Sequence, residues 1–395
     1  MPRTDAKLPP AYRRLWWASG IDNLGTGAFT AAVPLLTVTV TRDPRLVALV
    51  SAAAYLPWLL VALPAGALAD RHDRAGLMWR AQAVQAALAG TAAVLTACGA
   101  AGVPLLAVTA FGLGAADVVF GTAAQAILPD LVAKPMLPRA NGGQQAITTI
   151  TGQFAGPPLG SLLFGVTAAL PFGLDAVSFA VSAAVVATLP RTAGSLRTRP
   201  VVRDGLAWLL RHRLLRTLAL LLGVNTFCGQ LANATLVLLV TQLVHPDARG
   251  YGLLLAGAAL GSVLGGLVNA RVVAAVGSRP ALVTALAVNA GAFAGIGLSR
   301  DAVMLGAFLA VNGFVTTLWN VVTVGLRQQF VPSALLGRVT SAYRLLGWGL
   351  IPAGTLAGGL VAHELGLRAP YLVAAAIRGI ALAVALPVLL RPHQN

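Results

Sequence analysis

The sequence predicts an all-α integral membrane protein with twelve transmembrane helices arranged as two six-helix bundles. Three observations lead there. The 395 residues are 57% hydrophobic and only 10% charged, whereas a soluble domain is about a quarter charged. The apolar residues gather into twelve runs, each near the roughly 20 residues that cross a bilayer. The Lys and Arg residues gather in every second loop, which is a topology signal. A net charge of +16 would suit nucleic acid only as a basic face on a soluble fold, so membrane lipid is the expected surroundings and no nucleic acid is expected.

Taken in order, the predicted spans cover residues 15–40, 46–69, 75–99, 103–128, 141–168 and 171–189, then 215–243, 250–276, 281–298, 302–330, 339–364 and 369–390. The first run is too long for a signal peptide and lacks a cleavage site before the next charged loop, so it reads as a retained helix. Both termini and the 2–3, 4–5, 6–7, 8–9 and 10–11 connections share one side. With the adjoining helix ends they hold 22 of the 28 Lys and Arg residues. The other side keeps Arg42, Arg45, Arg249, Arg300 and Arg368, with Arg378 slightly inside span 12. Positive residues mark the cytoplasmic side, so both termini are expected in the cytoplasm. The excess of Arg over Lys and the abundance of Ala suggest a GC-rich bacterial genome, and hence the bacterial inner membrane.

The longest connector sets the domain plan: residues 1–190 as the first bundle, 191–214 as a cytoplasmic linker and 215–395 as the second bundle. Within the linker, Asp204 to Arg211 carries apolar residues, Trp208 and a basic end, and reads as a short helix on the membrane surface. Two echoes suggest a repeat. Gly265-Gly266-Leu267-Val268-Asn269 in span 8 echoes Gly66-Ala67-Leu68-Ala69-Asp70 at the end of span 2, with Asn for Asp, and Gly354-Thr355-Leu356-Ala357-Gly358 echoes Gly156-Pro157-Pro158-Leu159-Gly160. Cys98 and Cys228 lie in apolar runs and indicate no disulfide framework.

The nine residues Gly66 to Arg74 are a charged hairpin between two apolar runs, and they must sit at a water interface. Their pattern G-x-L-x-D-R-x-x-R resembles the loop between the second and third helices of major facilitator superfamily transporters, written G-x-L-x-D-R-x-G-R. Asp73 stands where that pattern has its second glycine. Three further stretches resemble the bacterial branch that includes enterobactin and macrolide exporters: Ala126 to Val132 with Arg139-Ala140-Asn141, Asp204 to Leu209, and Arg327-Gln328-Gln329 to Gly337-Arg338-Val339. The motif Gly152-x-x-x-Gly156-Pro157-x-x-Gly160 resembles the span 5 motif of drug–proton antiporters, with Ser161 in place of a final glycine.

The resemblance implies a monomeric secondary transporter working by alternating access. The expected activity is proton-coupled efflux of a small amphipathic molecule such as a drug, siderophore or secondary metabolite, as in multidrug resistance. An importer or facilitator, and a non-transporting sensor or assembly protein, stay open as alternatives. No Walker A sequence, H-E-x-x-H or nucleophile elbow is found in the sequence, so neither an enzyme nor a cofactor or metal is expected.

Residue roles follow. Asp22 lies about seven residues into span 1, roughly 10 Å deep at 1.5 Å per residue, and Asp117 lies at comparable depth in span 4. Burial and a like-charged neighbour are the conditions that let a carboxyl group exchange protons near neutrality, so these two are the candidate coupling acids. Asp175, near the start of span 6, reads as a cap or packing residue. The resemblance implies a gate formed by Gly66, Asp70, Arg71 and Arg74 with Arg338 at the start of span 11. Gly152, Gly156 and Gly160, and Gly257, Gly261 and Gly265, recur every four residues, a spacing that permits close backbone approach. In the resembled fold spans 5 and 8 face each other across the bundles. Pro157-Pro158 removes two backbone donors and should kink span 5. Asn23, Phe29, Asn225, Gln230, Asn312, Trp319 and Asn320 fall on spans 1, 7 and 10, three of the four that line the cavity in that fold, and are the candidate substrate contacts.

Overall fold

The computed structural model describes residues 8–191, 202–244, 248–332, 335, 339–340, 343 and 347–390. They form α1 (Pro10–Val40), α2 (Pro44–Leu60), α3 (Ala62–Arg71), α4 (Arg74–Ala97), α5 (Val103–Leu131), α6 (Leu137–Thr149), a π-helical turn (Ile150–Ala155), α7 (Gly156–Phe164) and α8 (Leu170–Ala187). Then come α9 (Val202–Arg211), α10 (Arg213–Asn233), α11 (Leu236–Val244), α12 (Ala248–Val276), α13 (Ser278–Leu298), α14 (Ala302–Phe330), α15 (Ile351–Leu365) and α16 (Ala369–Leu390). No strand occurs among the described residues.

Eight of these helical stretches are by themselves long and apolar enough to cross a membrane. The other four predicted spans depart for local reasons. Span 3 is α4, which carries Arg80, Gln82 and Gln85. Span 2 breaks at Val61, four residues after Pro57, into α2 and α3. Span 5 is α6, the π turn and α7. The expected proline kink at Pro157-Pro158 takes a different form, because both prolines occupy the first turn of α7, where helix N–H groups have no partner to lose, and the irregularity falls on residues 150–155 before them. Of span 11, α15 and a few residues before it are described.

The chain divides into two compact units, residues 1–41 with 53–198, and residues 42–52 with 199–395. In the first, α1 packs along α8 and α7, and α4 lies against α8 and α5. In the second, α14 packs along α12 and α13, and α10 along α15 and α16. Lipid offers no hydrophobic drive for helices to associate, so close packing and interhelical hydrogen bonds must hold them. The two units use the same device. Gly156 of α7 lies against Gly27 of α1, where an added Cβ would stand 2.6 Å from the Gly27 Cα, and Gly160 lies against the Ala28 carbonyl. Gly354 of α15 likewise meets the Phe227 carbonyl of α10, and Gly358 meets that of Leu231. Span 5 therefore sits on span 1 as span 11 sits on span 7, which is the internal repeat seen in packing. Val303, Val384 and Leu253 stand exposed on their helices, as a lipid-facing surface requires.

Each unit has an apolar core. Leu15, Met78, Phe120 and Ile127 anchor the first, and Leu215, Leu218, Leu282 and Trp319 the second. Leu209 of α9 joins the second core, while Leu206 and Leu210 stay exposed. Cys98 is exposed and Cys228 buried, and both are free thiols.

Candidate proton-coupling site

A buried polar cluster in the first unit is built from three helices. Asp22 and Asn23 come from α1, Gln82 from α4 and Ser182 from α8. Helices α1 and α8 run antiparallel in a fixed register: Arg14 donates to the Thr188 carbonyl (3.1 Å), Ser182 Oγ donates to the Ala18 carbonyl (3.0 Å), and Phe29 meets Phe172 edge to face at 5.5 Å. The Gln82 amide then spans the seam. Its Nε2 donates to Ser182 Oγ (2.6 Å) and to Asp22 Oδ1 (3.3 Å), while Asn23 Nδ2 donates to the Ser19 carbonyl (2.8 Å) and to Asp22 Oδ2 (3.3 Å). Asp22 is 4% exposed and Gln82 fully buried. On the far side of α1, Gln144 donates to Ser19 Oγ (3.0 Å), Trp16 to the Gly143 carbonyl (3.0 Å) and Tyr12 to the Ala140 carbonyl (2.9 Å), tying α6 to the same helix.

Asp117 of α5 is half-buried and lies within electrostatic reach of Asp22 and of Tyr55 on α2. Among the described residues no Lys or Arg pairs with Asp22 or Asp117. An unpaired carboxylate out of water is costly unless its charge is neutralised, a condition that Asp22 meets and Asp117 meets in part.

Of the two readings of Asp175, cap or packing residue, the structure removes the cap. Asp175 lies inside α8, whose N-cap is Ala169 without a side-chain bond, so it caps nothing. It is 1% exposed, and neither carboxylate oxygen accepts a hydrogen bond from a described residue.

The remaining candidates fall in several environments. Gly66 and Arg71 lie in α3, as does the backbone of Asp70; the Asp70 side chain and all of Arg338 lie outside the described residues. Arg74 turns inward, paired with Asp130 and donating to the Ala126 carbonyl (3.1 Å). Asp73 is the N-cap of α4, its carboxylate accepting from the Gly76 N–H (2.9 Å) at φ −58°, so the place of the pattern's glycine needs no left-handed backbone here. Gly152 faces Asn23, Gly261 the Ala310 carbonyl and Gly265 the Phe314 carbonyl, whereas Gly257 has looser surroundings; each stripe thus packs on a helix of its own unit. Asn312 accepts from Asn289 (2.8 Å), Asn225 gives its carbonyl to Arg378, Gln230 is half-buried and Asn320 exposed. Trp319 packs in the core of the second unit.

Arg378 is the residue whose place the sequence least discloses. Mid-way along α16 it is buried, donates Nη2 to the Asn225 carbonyl (2.8 Å) and lies 3.8 Å over the Phe293 ring. Its position slightly inside span 12 was the available signal.

The fold and the apolar spans define the class, an all-α multi-pass membrane protein of the major facilitator type. The chain belongs to the major facilitator family described as transmembrane secretion effector, whose model matches residues 8–395. Among solved structures it is similar to the nucleoside transporter NupG in a mutant form (TM-score 0.76, 14% identity, 96% of this chain and 100% of that one). A bacterial homologue of the iron transporter ferroportin in an inward-facing state is similar too (0.76, 16%, 96% and 99%), as is a bacterial homologue of the human lysosomal transporter Spinster (0.69, 14%, 96% and 96%). No curated protein matches by sequence.

Proposed function

We propose that the protein is a proton-coupled exporter of a small amphipathic molecule in the bacterial inner membrane, working by alternating access with both termini in the cytoplasm. The observation that carries this reading is the pair Asp22 and Asp117, two acids in one unit within electrostatic reach of each other and without a basic partner among the described residues. Binding a proton changes the charge of such a site, and a ligand that favours one conformation shifts the equilibrium between the two. The family description, which speaks of secretion, supports export. The half-buried amides Asn225 and Gln230 are the hydrogen-bonding groups proposed for the cargo.

The test uses purified protein in liposomes with a pH dye inside and an imposed proton gradient. The cargo panel comprises lipophilic cations, macrolides and catecholate siderophores. Cargo-dependent proton flux that is lost in Asp22→Asn or Asp117→Asn is the expected result. Cargo flux that ignores the gradient and survives both substitutions would replace this reading with a facilitator.

A further inference from the structure

The seam between α1, α4 and α8 continues beyond Asp22. Three residues further along α1, Gly25 faces α8, where an added Cβ would overlap Ser178 Oγ and stand 2.7 Å from Asp175 Oδ1. The Asp175 carboxylate is therefore held against the α1 backbone one turn from Asp22, about 5 Å along the axis, and the two acids lie within electrostatic reach. The antiparallel register puts Asp175 on the side of Asp22 toward the end of α1, the end of the bundle remote from the N-terminus. On α4, Gln85 follows Gln82 by three residues, hence on the same face, and is also buried.

This stretch is rich in acceptors. Both Asp175 oxygens, Gln82 Oε1 and Gln85 Oε1 are buried and accept no hydrogen bond from a described residue. The Ser178 hydroxyl sits against the Asp175 carboxylate and lies 2.8 Å from the Asp175 backbone carbonyl, to which it can donate. The helices packed on α8 are α1, α4 and α7. Beyond residues at the helix ends and the exposed Arg80, the titratable group they bring to this seam is Asp22, since α7 has none. A structural aspartate would be expected to receive donors on its oxygens; this one has a single hydroxyl, Ser178, beside it and no basic partner among the described residues.

We propose that Asp175 is a relay acid, through which protons reach and leave Asp22 from the end of the bundle remote from the N-terminus. A proton arriving there bonds to an Asp175 carboxylate oxygen. That O–H bond then breaks as a new one forms on Asp22, and Asp175 returns to its carboxylate. Asp175 positions the proton and touches no cargo. The inference rests on the proton-coupled reading of Asp22.

The test is electrometry on proteoliposomes of one orientation, checked by protease access to the C-terminal tail, with pH jumps applied to either side and no cargo present. The wild type should give a charge-displacement transient from both sides, absent in Asp22→Asn. Asp175→Asn should slow the transient from the Asp175 side about a hundredfold, the typical contribution of a positioned proton-transfer group, and leave the other side unchanged. Asp175→Glu should restore it. Equal kinetics from both sides in Asp175→Asn, a loss from both sides, or no rescue by Glu overturns the relay alone. A wild type without any transient that depends on Asp22 overturns the proton-coupled reading and the relay with it.

Discussion

Gly156 of α7 and Gly27 of α1 meet backbone to backbone, leaving no room for a side chain on either residue. Gly156→Val should therefore force α7 away from α1, and overpacking of this kind costs about 2 kcal/mol. Gly121 of α5 has nothing within 4 Å of an added Cβ, and Gly121→Ala should hold or raise stability by about 0.5 kcal/mol. Melting temperatures of the detergent-purified variants check both. A Gly156→Val protein that melts with the wild type would show that the contact is not needed.

Arg74 and Asp130 are unequally buried, at 5% and 35% side-chain exposure. Removing the acid strands a buried guanidinium, whereas removing the base leaves a carboxylate that water reaches. Asp130→Ala should thus lower stability by about 3 kcal/mol, the scale for an uncompensated buried charge. Arg74→Met should cost about 1 kcal/mol, in keeping with a partly exposed pair. Thermal or denaturant unfolding of the two variants side by side measures the asymmetry, and the reverse order would contradict it.

Asp43 precedes α2 and accepts four hydrogen bonds from Arg45: Oδ1 from the backbone N–H (2.9 Å) and Nε (3.2 Å), and Oδ2 from Nε (3.3 Å) and Nη2 (2.9 Å). These hydrogen bonds from Arg45 hold its carboxyl below the usual carboxylate range. A depressed carboxyl contributes stability above its unfolded value, about 4, and that contribution is lost as pH falls through the lower folded value. His363 Nδ1 stands 3.7 Å from the same carboxylate. The melting temperature of Asp43→Asn should be slightly below wild type at neutral pH and should converge with it in acid below about pH 4. The gap should be small because the pair is exposed, and a gap that widens in acid would reverse the sign.

Arg378 keeps its guanidinium between the Asn225 carbonyl and the Phe293 ring. A buried ion replaced by an apolar side chain of similar volume is often tolerated, so Arg378→Met should stay within about 1 kcal/mol of wild type. Arg378→Ala should lose about 3 kcal/mol through the cavity it leaves. If Arg378→Met is stable yet inactive in the liposome assay, the guanidinium serves the cargo or the conformational cycle. Equal losses for both variants would mark it as structural.

Part of the candidate set was legible in the sequence. Asp22 and Asp117 stand out because a carboxylate inside an apolar run is rare and expensive, and the structure brings them within reach of each other in one unit. Gln82 and Ser182 were not legible as their partners, since amides and hydroxyls are common in spans and nothing in the one-dimensional pattern says which faces meet. Asp175 was legible only in part for the same reason: its position near a helix start left cap and packing residue open, and only the register of α1 against α8 places its carboxylate beside Gly25. The glycine stripes announced close approach, and the resemblance set spans 5 and 8 against each other; the close contacts of Gly156 and Gly261 are instead with α1 and α14 of their own units.

By itself the sequence determined that this is an all-α membrane protein, because an apolar run of sufficient length is a local property that its own residues decide. It also marked where α4 begins, since a charged turn between two apolar runs is equally local; that Asp73 caps the helix came from the structure. The tertiary structure alone decided the pairing of helices, the π turn ahead of Pro157, the burial of Arg378 and the course of the acceptor-lined seam from Gln82 to Asp175. Those features depend on how each helix is rotated and shifted against its neighbours. That rotation is set by many side chains packing at once, and no single stretch of the chain contains it.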